Sequence, residues 1–239
     1  MSSLPNSDNR AAVSTLSRVA TALLVVAVAA CSSGGGSGNN AGPTAPTPPP
    51  PPPPPPSSNA QIAVIGCSQT SNAWRGWIAS GDMRVWELFQ GYGGGDVSDW
   101  ARDVPNGDYW TRFDVNIDSN PDATIIWWQL CTLLSRPGTE ADVDAIAAEI
   151  SRRIPGVVIY VTPLAEFEKP ETCDKDNIPN SRALTDYLVG NGTARRGPEL
   201  PRVLDAWIQP PQGDGGCHVG ADGRAEFGAV LTNFNWPAP

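Results

Sequence analysis

Residues 62–70, which read IAVIGCSQT, decide the fold class of this chain. The apolar run from Ile62 to Ile65 predicts a short buried strand, and Gly66 breaks it. The stretch that follows, with Trp74 and Trp77 in it, predicts a helix. A strand, a tight turn and a helix in this order are typical of an α/β fold, in which helices cover a parallel sheet.

The remaining patterning repeats this alternation of strand and helix. Residues 123–128 and 157–161 predict two more buried strands, because nearly all their side chains are apolar or β-branched. Thr139 can cap the helix between them, with Asp142 completing a variant of the capping box. Two further helices are predicted over 181–189 and 221–234, and one more strand over 202–208.

The N-terminus has the pattern of a secretion signal. Arg10 and Arg18 precede an apolar run over residues 19–30, which is shorter than the roughly 20 residues of a membrane-spanning helix. The run ends in VAAC, residues 28–31, which resembles the lipobox of bacterial lipoproteins. We therefore expect residues 1–30 to be a lipoprotein signal peptide and Cys31 to carry the lipid. The alternative is an ordinary secretory signal in which Cys31 is incidental.

Residues 31–59 predict a tether between the lipid and a folded domain. They contain Ser, Gly and Asn, followed by unbroken proline from Pro48 to Pro56. Such a composition buries little apolar surface, and this proline tract would span roughly 28 Å as polyproline II. A ligand of an SH3-type domain is the alternative, but domains that bind such ligands are not expected outside a bacterial cell. Residues 60–239 remain as one domain on the extracytoplasmic side of the cell envelope.

The charge and the cysteines narrow the class of protein. The formal net charge is −9, and it becomes −10 once Asp8, Arg10 and Arg18 leave with residues 1–30. An acidic domain repels nucleic acid, so no nucleic-acid partner is expected.

Four cysteines in an oxidising compartment predict two disulfides. A zinc site is the alternative, disfavoured because the chain has one histidine and no C-x-x-C pair. The four are Cys67, Cys131, Cys173 and Cys217.

Polar and glycine-rich motifs follow the predicted strands. Ser68 follows the first strand, residues 93–96 read GGGD, and residues 214–218 read DGGCH after the last predicted strand. Catalytic groups of open parallel sheets gather at the carboxyl ends of the strands. A dinucleotide site is not expected, because no G-x-G-x-x-G motif is present.

These motifs, in this order, resemble those of the SGNH (GDSL-type) hydrolases, serine esterases and lipases with a flavodoxin-like three-layer sandwich around a central parallel sheet. Residues 65–70 match the first block, although the usual Gly-Asp-Ser reads Gly-Cys-Ser. Gly94 and Gly95 match the second block, and Cys217-His218 before a helix matches the last. Two features depart from the family. Residues 128–131, WQLC, replace the block containing the oxyanion-binding asparagine, and Asp214 precedes His218 by one residue more than usual.

The resemblance implies a catalytic triad. Ser68 would be the nucleophile, His218 the base that removes its proton, and Asp214 the acid that orients the imidazole. The glycines at 215 and 216 would absorb the extra residue between Asp214 and His218. Each residue also has a structural alternative. Ser68 could be a helix N-cap, His218 an ordinary surface or core residue, and Asp214 a solvated loop residue, with a backbone carbonyl or water orienting His218.

The resemblance also implies an oxyanion hole and a disulfide pairing. The backbone N–H of Ser68 and that of Gly94 or Gly95 would bind the oxyanion, with Gln129 as a candidate amide donor in place of the asparagine. In a sheet of order 2-1-3-4-5 the first strand neighbours the strand ending at Cys131. This order predicts that Cys67 pairs with Cys131 and that Cys173 pairs with Cys217.

The expected function is a carboxylic-ester hydrolase tethered to the cell envelope, acting on small esters or acylated glycans. It would be a monomer with no metal and no organic cofactor. Trp100, close to the glycine block, is either a core residue or a border of the substrate cleft. The alternative function is a non-catalytic glycan-binding module on the same fold.

Overall fold

A computed structural model of the chain describes residues 61–86, 95–173, 175–208 and 216–237. The predicted signal peptide, the lipidation site Cys31 and the tether lie outside these ranges, as do Gly94 and Asp214.

The described residues form an α/β fold around a parallel sheet. The strands are β1 (Ile62–Ile65), β2 (Ile125–Leu130), β3 (Val158–Pro163) and β4 (Arg195–Arg196), in the spatial order β1-β2-β3-β4. Val85 adds an isolated parallel bridge to Ile62 on the side of β1 away from β2. With Val85 counted as the second strand along the chain, the order is compatible with the flavodoxin-like arrangement 2-1-3-4-5.

Six α-helices surround this sheet in the described part of the chain. They are α1 (Ser68–Ala79), α2 (Val97–Arg102), α3 (Asp108–Ser119), α4 (Glu140–Arg153), α5 (Ile178–Gly190) and α6 (Ala221–Asn233). Two 3-10 turns cover Pro170–Cys173 and Asp205–Trp207. Helix α1 packs on α6, and α4 packs on both α2 and α5. None of the described helices has the length and apolar character needed to cross a bilayer.

The centre of the sheet is covered on both faces, as the apolar strand sequences predict. Every residue of β1 and β2 is buried. Trp127 and Trp128 point to opposite faces of β2, and both are buried. Trp77 of α1 meets Trp127 edge-on, with 5.9 Å between ring centroids. Trp100 is 1% exposed and donates from Nε1 to the carbonyl of Gly66, so it belongs to the core rather than to an open cleft.

Helices α1 and α6 cross with their backbones in contact. A Cβ atom placed on Gly76 would lie 1.7 Å from the carbonyl oxygen of Arg224, and one on Gly228 would lie 2.3 Å from the carbonyl carbon of Gly76. Only glycine permits such an approach. This crossing places the start of α1 beside the segment that leads into α6.

Several predicted elements are confirmed, with shifted ends. Thr139 caps α4 and forms the predicted capping box with Asp142. The predicted strands 123–128 and 157–161 begin and end one or two residues too early. Helix α5 starts at Ile178 rather than 181, because the side chain of Asn177 caps it. Helices α2 and α3 were not among the predicted elements.

The predicted strand over residues 202–208 is wrong. Within it Val203 forms one isolated parallel bridge and Ile208 one isolated antiparallel bridge, and the 3-10 turn Asp205–Trp207 lies between them. The place beside β3 is occupied instead by β4. Pro198 and Pro201 separate β4 from this segment, and proline has no N–H to donate to a strand ladder.

Candidate active site

Ser68 is the first residue of α1, directly beyond the carboxyl end of β1, as predicted. Its side chain is exposed. The N-cap position belongs to Cys67, and Thr70 completes the turn by accepting a hydrogen bond from the Cys67 N–H at 2.9 Å. The Ser68 hydroxyl therefore does not cap the helix, and it has no side-chain hydrogen bond to any residue in the described ranges.

His218 lies half-buried in the short segment between a disulfide and α6. The preceding Gly216 has φ +78°, a backbone conformation that favours glycine. Both predicted disulfide pairs are present, with Cα–Cα distances of 6.0 Å for Cys67–Cys131 and 4.8 Å for Cys173–Cys217. The second disulfide therefore attaches the His218 segment to the loop that precedes α5.

Among the described residues, Asp176 is an acidic side chain whose carboxyl interacts electrostatically with His218. It lies half-buried in the segment between the 3-10 turn at Pro170–Cys173 and α5, and burial raises the pKa of its carboxyl to about 6. The amide Nε2 of Gln69 donates a hydrogen bond to its Oδ2, and the nearby His218 also favours its ionised form. Sequence reasoning missed Asp176, because no motif marks it.

Two chains of contacts connect the start of α1 with the His218 segment. In the first, Gln69, which follows Ser68, binds Asp176, and Asp176 is attracted to His218. In the second, Arg224 donates from Nε to Oδ1 of Asn72 at 3.0 Å and to the carbonyl of Val219 at 3.1 Å. Asn72 in turn donates from Nδ2 to the carbonyl of Ser68 at 3.3 Å.

A packing gap too small to hold a water molecule lies between α1 and the His218 segment. Gln69 and Asn72 line it from α1, and the neighbours of His218 on either side, Cys217 and Val219, line it from the other segment. The chain neighbours of Ser68 and of His218 therefore meet beyond the carboxyl end of β1.

Gln129, the candidate amide donor of the oxyanion hole, is buried near the carboxyl end of β2. Its Oε1 accepts a hydrogen bond from Thr70 Oγ1 at 2.8 Å. Thr70 thus connects Gln129 to Cys67 in the turn that presents Ser68. The bond occupies the oxygen of the amide, so the role proposed for Gln129 requires its nitrogen.

Gly95 is buried two residues before α2, and a Cβ atom there would lie 2.5 Å from Cβ of Asp99. The next residue, Asp96, caps α2 by accepting from Asp99 N at 3.0 Å. Arg136 approaches its other carboxylate oxygen to 2.7 Å. Burial raises the pKa of Asp96, and the charge of Asp99 adds to the rise. These contacts anchor the loop end that carries Gly95.

One group of three metal-ligand residue types occurs in the described ranges, formed by Cys173, Asp176 and Cys217. Its two sulfur atoms are joined in a disulfide, so they are not thiolates and cannot serve as strong metal ligands. The group is better described as a disulfide beside a half-buried carboxylate.

No model of a known protein family matches this chain, and a search of curated proteins found no match either.

Proposed function

We propose that this protein is a carboxylic-ester hydrolase in which Ser68 is the nucleophile and His218 the general base. The observation that carries the proposal is the junction between β1, α1 and the His218 segment. There the side chain of Ser68 is exposed and does not cap the helix. Its neighbour Gln69 is hydrogen-bonded to the carboxylate of Asp176, which interacts electrostatically with His218.

The chemistry follows the general scheme of serine hydrolases. The imidazole of His218 takes the hydroxyl proton as Ser68 Oγ attacks the ester carbonyl, and the tetrahedral intermediate then expels the alcohol, which receives that proton. An acyl group remains on Ser68. Water, activated by the same imidazole, attacks the acyl carbonyl and releases the acid, which restores the free serine.

The developing oxyanion would be stabilised by backbone N–H groups. The N–H of Ser68 belongs to the first turn of α1, where helix geometry leaves N–H groups without helical partners and the dipole favours negative charge. Gly94 or Gly95 would supply a second N–H, as the resemblance to SGNH hydrolases suggests. Gln129 stands near the carboxyl end of the adjacent strand β2, where its amide nitrogen is a candidate third donor.

The proposed setting is the outer side of a bacterial membrane. The two disulfides are consistent with an extracytoplasmic location. The lipid on Cys31 and the tether remain proposals from the sequence. A domain held clear of the membrane would reach acylated glycans or small esters, and we propose these as the substrate class.

Fluorophosphonate labelling of the purified protein, with mass mapping of the labelled peptide, tests the proposal. We expect the label on Ser68 and turnover of p-nitrophenyl acetate, both lost in Ser68→Ala and His218→Ala. Ser119→Ala is the matched control, because Ser119 is exposed at the far end of α3. A folded protein that takes no label and turns over no ester would instead favour the glycan-binding module.

A further inference from the structure

We infer that Asp176, rather than Asp214, is the carboxylate that positions His218 and stabilises its charged form during catalysis. This inference rests on the proposed function and assigns the third member of the same site. Asp176 would be a positioning residue, because it acts through the imidazole and not on the substrate.

The first argument is the place of Asp176 in the fold. Its carboxylate lies within 4.8 Å of the sulfur atoms of Cys173 and Cys217, and Cys217 directly precedes His218. The backbone holds it there, since Asp176 N donates to the carbonyl of Cys173 at 3.4 Å and Asp176 bridges Leu133. The disulfide therefore binds the carboxylate loop and the histidine segment into one unit.

The second argument is the environment of the carboxylate. Burying a carboxylate is costly unless hydrogen bonds or an opposite charge compensate. In the described ranges the side chain of Asp176 is hydrogen-bonded by Gln69, and the charge that His218 carries when protonated favours the ionised form of Asp176. The ionised carboxylate is stabilised most when the imidazole is protonated. That state of the imidazole forms as Ser68 attacks the ester.

The third argument is the connection to the nucleophile. The residue that binds Asp176 is Gln69, which directly follows Ser68 in α1. A single hydrogen bond therefore sets the carboxylate relative to the first turn of the helix that presents Ser68.

The test compares Asp176→Asn with Asp214→Asn in the full exported protein. Asparagine preserves the shape of Asp176, and Gln69 can reverse its amide to keep a hydrogen bond. We expect kcat on p-nitrophenyl acetate to fall on the order of 10⁴-fold in Asp176→Asn, to recover partly in Asp176→Glu, and to stay above about a third of wild type in Asp214→Asn. Asp118→Asn, an exposed site on α3, is the matched control.

A second readout does not depend on turnover. His218 is the one histidine of the chain, so imidazole ¹⁵N resonances at pH 8 report its tautomer without assignment ambiguity. A carboxylate that positions the ring favours one tautomer. We expect a single tautomer in wild type and in Asp214→Asn, and a mixture in Asp176→Asn. Gln69→Leu, which frees the carboxylate but leaves its charge, should also change the tautomer ratio.

The outcomes separate this inference from the proposed function. A large loss of kcat in Asp214→Asn with near-normal turnover in Asp176→Asn overturns the inference but leaves the hydrolase intact. An imidazole that responds to neither variant also overturns it. If Ser68 takes no label while the imidazole still responds to Asp176→Asn, the hydrolase proposal fails together with the catalytic role of Asp176, and only the positioning of the His218 ring by Asp176 stands.

Discussion

Gln69 donates a hydrogen bond from its side-chain amide to the carboxylate of Asp176, and this contact joins the first turn of α1 to the loop before α5. Gln69 is buried and Asp176 is half-buried, and burial raises the pKa of the Asp176 carboxyl to about 6. The amide lowers that pKa but does not offset the burial. The site therefore holds a carboxylate whose ionisation opposes folding.

The first prediction concerns how stability depends on pH. The unfolded chain releases the Asp176 proton near pH 4, whereas the folded protein retains it to about pH 6. The unfolded state therefore binds fewer protons between these values, so Asp176 makes the free energy of unfolding fall as the pH rises from 4 to 6. A shift of this size corresponds to about 3 kcal/mol.

We expect Asp176→Asn to remove this decrease in the free energy of unfolding, because asparagine carries no proton to release. Urea unfolding at pH 4, 5, 6 and 7 measures it. The difference in unfolding free energy between Asp176→Asn and wild type should grow toward pH 6 and then stay level. Asp118→Asn provides the baseline. Parallel stability curves for wild type and Asp176→Asn would contradict the raised pKa.

The second prediction concerns the hydroxyl of Thr70. It is buried, accepts from the Cys67 N–H and donates to Gln129 Oε1 at 2.8 Å. Thr70→Val keeps the shape but leaves both partners without this bond, which costs roughly 1–3 kcal/mol per unsatisfied buried group. Thr70→Ser retains the hydroxyl.

Chemical denaturation of the two Thr70 variants separates the hydroxyl from the methyl group. We expect Thr70→Val to lose more stability than Thr70→Ser, and to lower kcat as well, because Cys67 belongs to the turn that presents Ser68. Equal losses in the two variants would show that packing of the methyl group, and not the hydrogen bonds, dominates at this position.

The third prediction concerns the crossing of α1 and α6. Alanine at Gly76 would place Cβ 1.7 Å from the carbonyl oxygen of Arg224, and a backbone atom can give way only if the helices separate. We expect Gly76→Ala to destabilise the protein by at least the roughly 1–3 kcal/mol typical of overpacked sites. Thermal unfolding measures the loss.

Gly190→Ala is the matched control for Gly76→Ala. Gly190 is the last residue of α5, and a Cβ atom there would meet no atom within 4 Å. Alanine has the higher helix propensity, so this change should be neutral or slightly stabilising. A similar loss in both variants would mean that the crossing is looser than the structure indicates.

Much of the secondary structure could be predicted because it depends on short stretches of the sequence. The capping box of Thr139 and Asp142 forms between residues three apart, and the continuous apolar run in β2 identifies a strand covered on both faces. The strand order implied by the family resemblance also yielded the pairing of Cys67 with Cys131. Residues 202–208 show the limit, since their pattern resembles a strand but β4 already occupies that side of β3.

The candidate site could likewise be predicted from the sequence only in part. The sequence by itself determined the place of Ser68 at the junction of β1 and α1, because a strand, a turn and a helix are local patterns. Only the tertiary structure brought Asp176 against Gln69 and toward His218, since these residues lie far apart in the chain and share no motif. Local periodicity and capping act through neighbouring residues, whereas the burial that raises a carboxyl pKa exists only after distant segments have packed together.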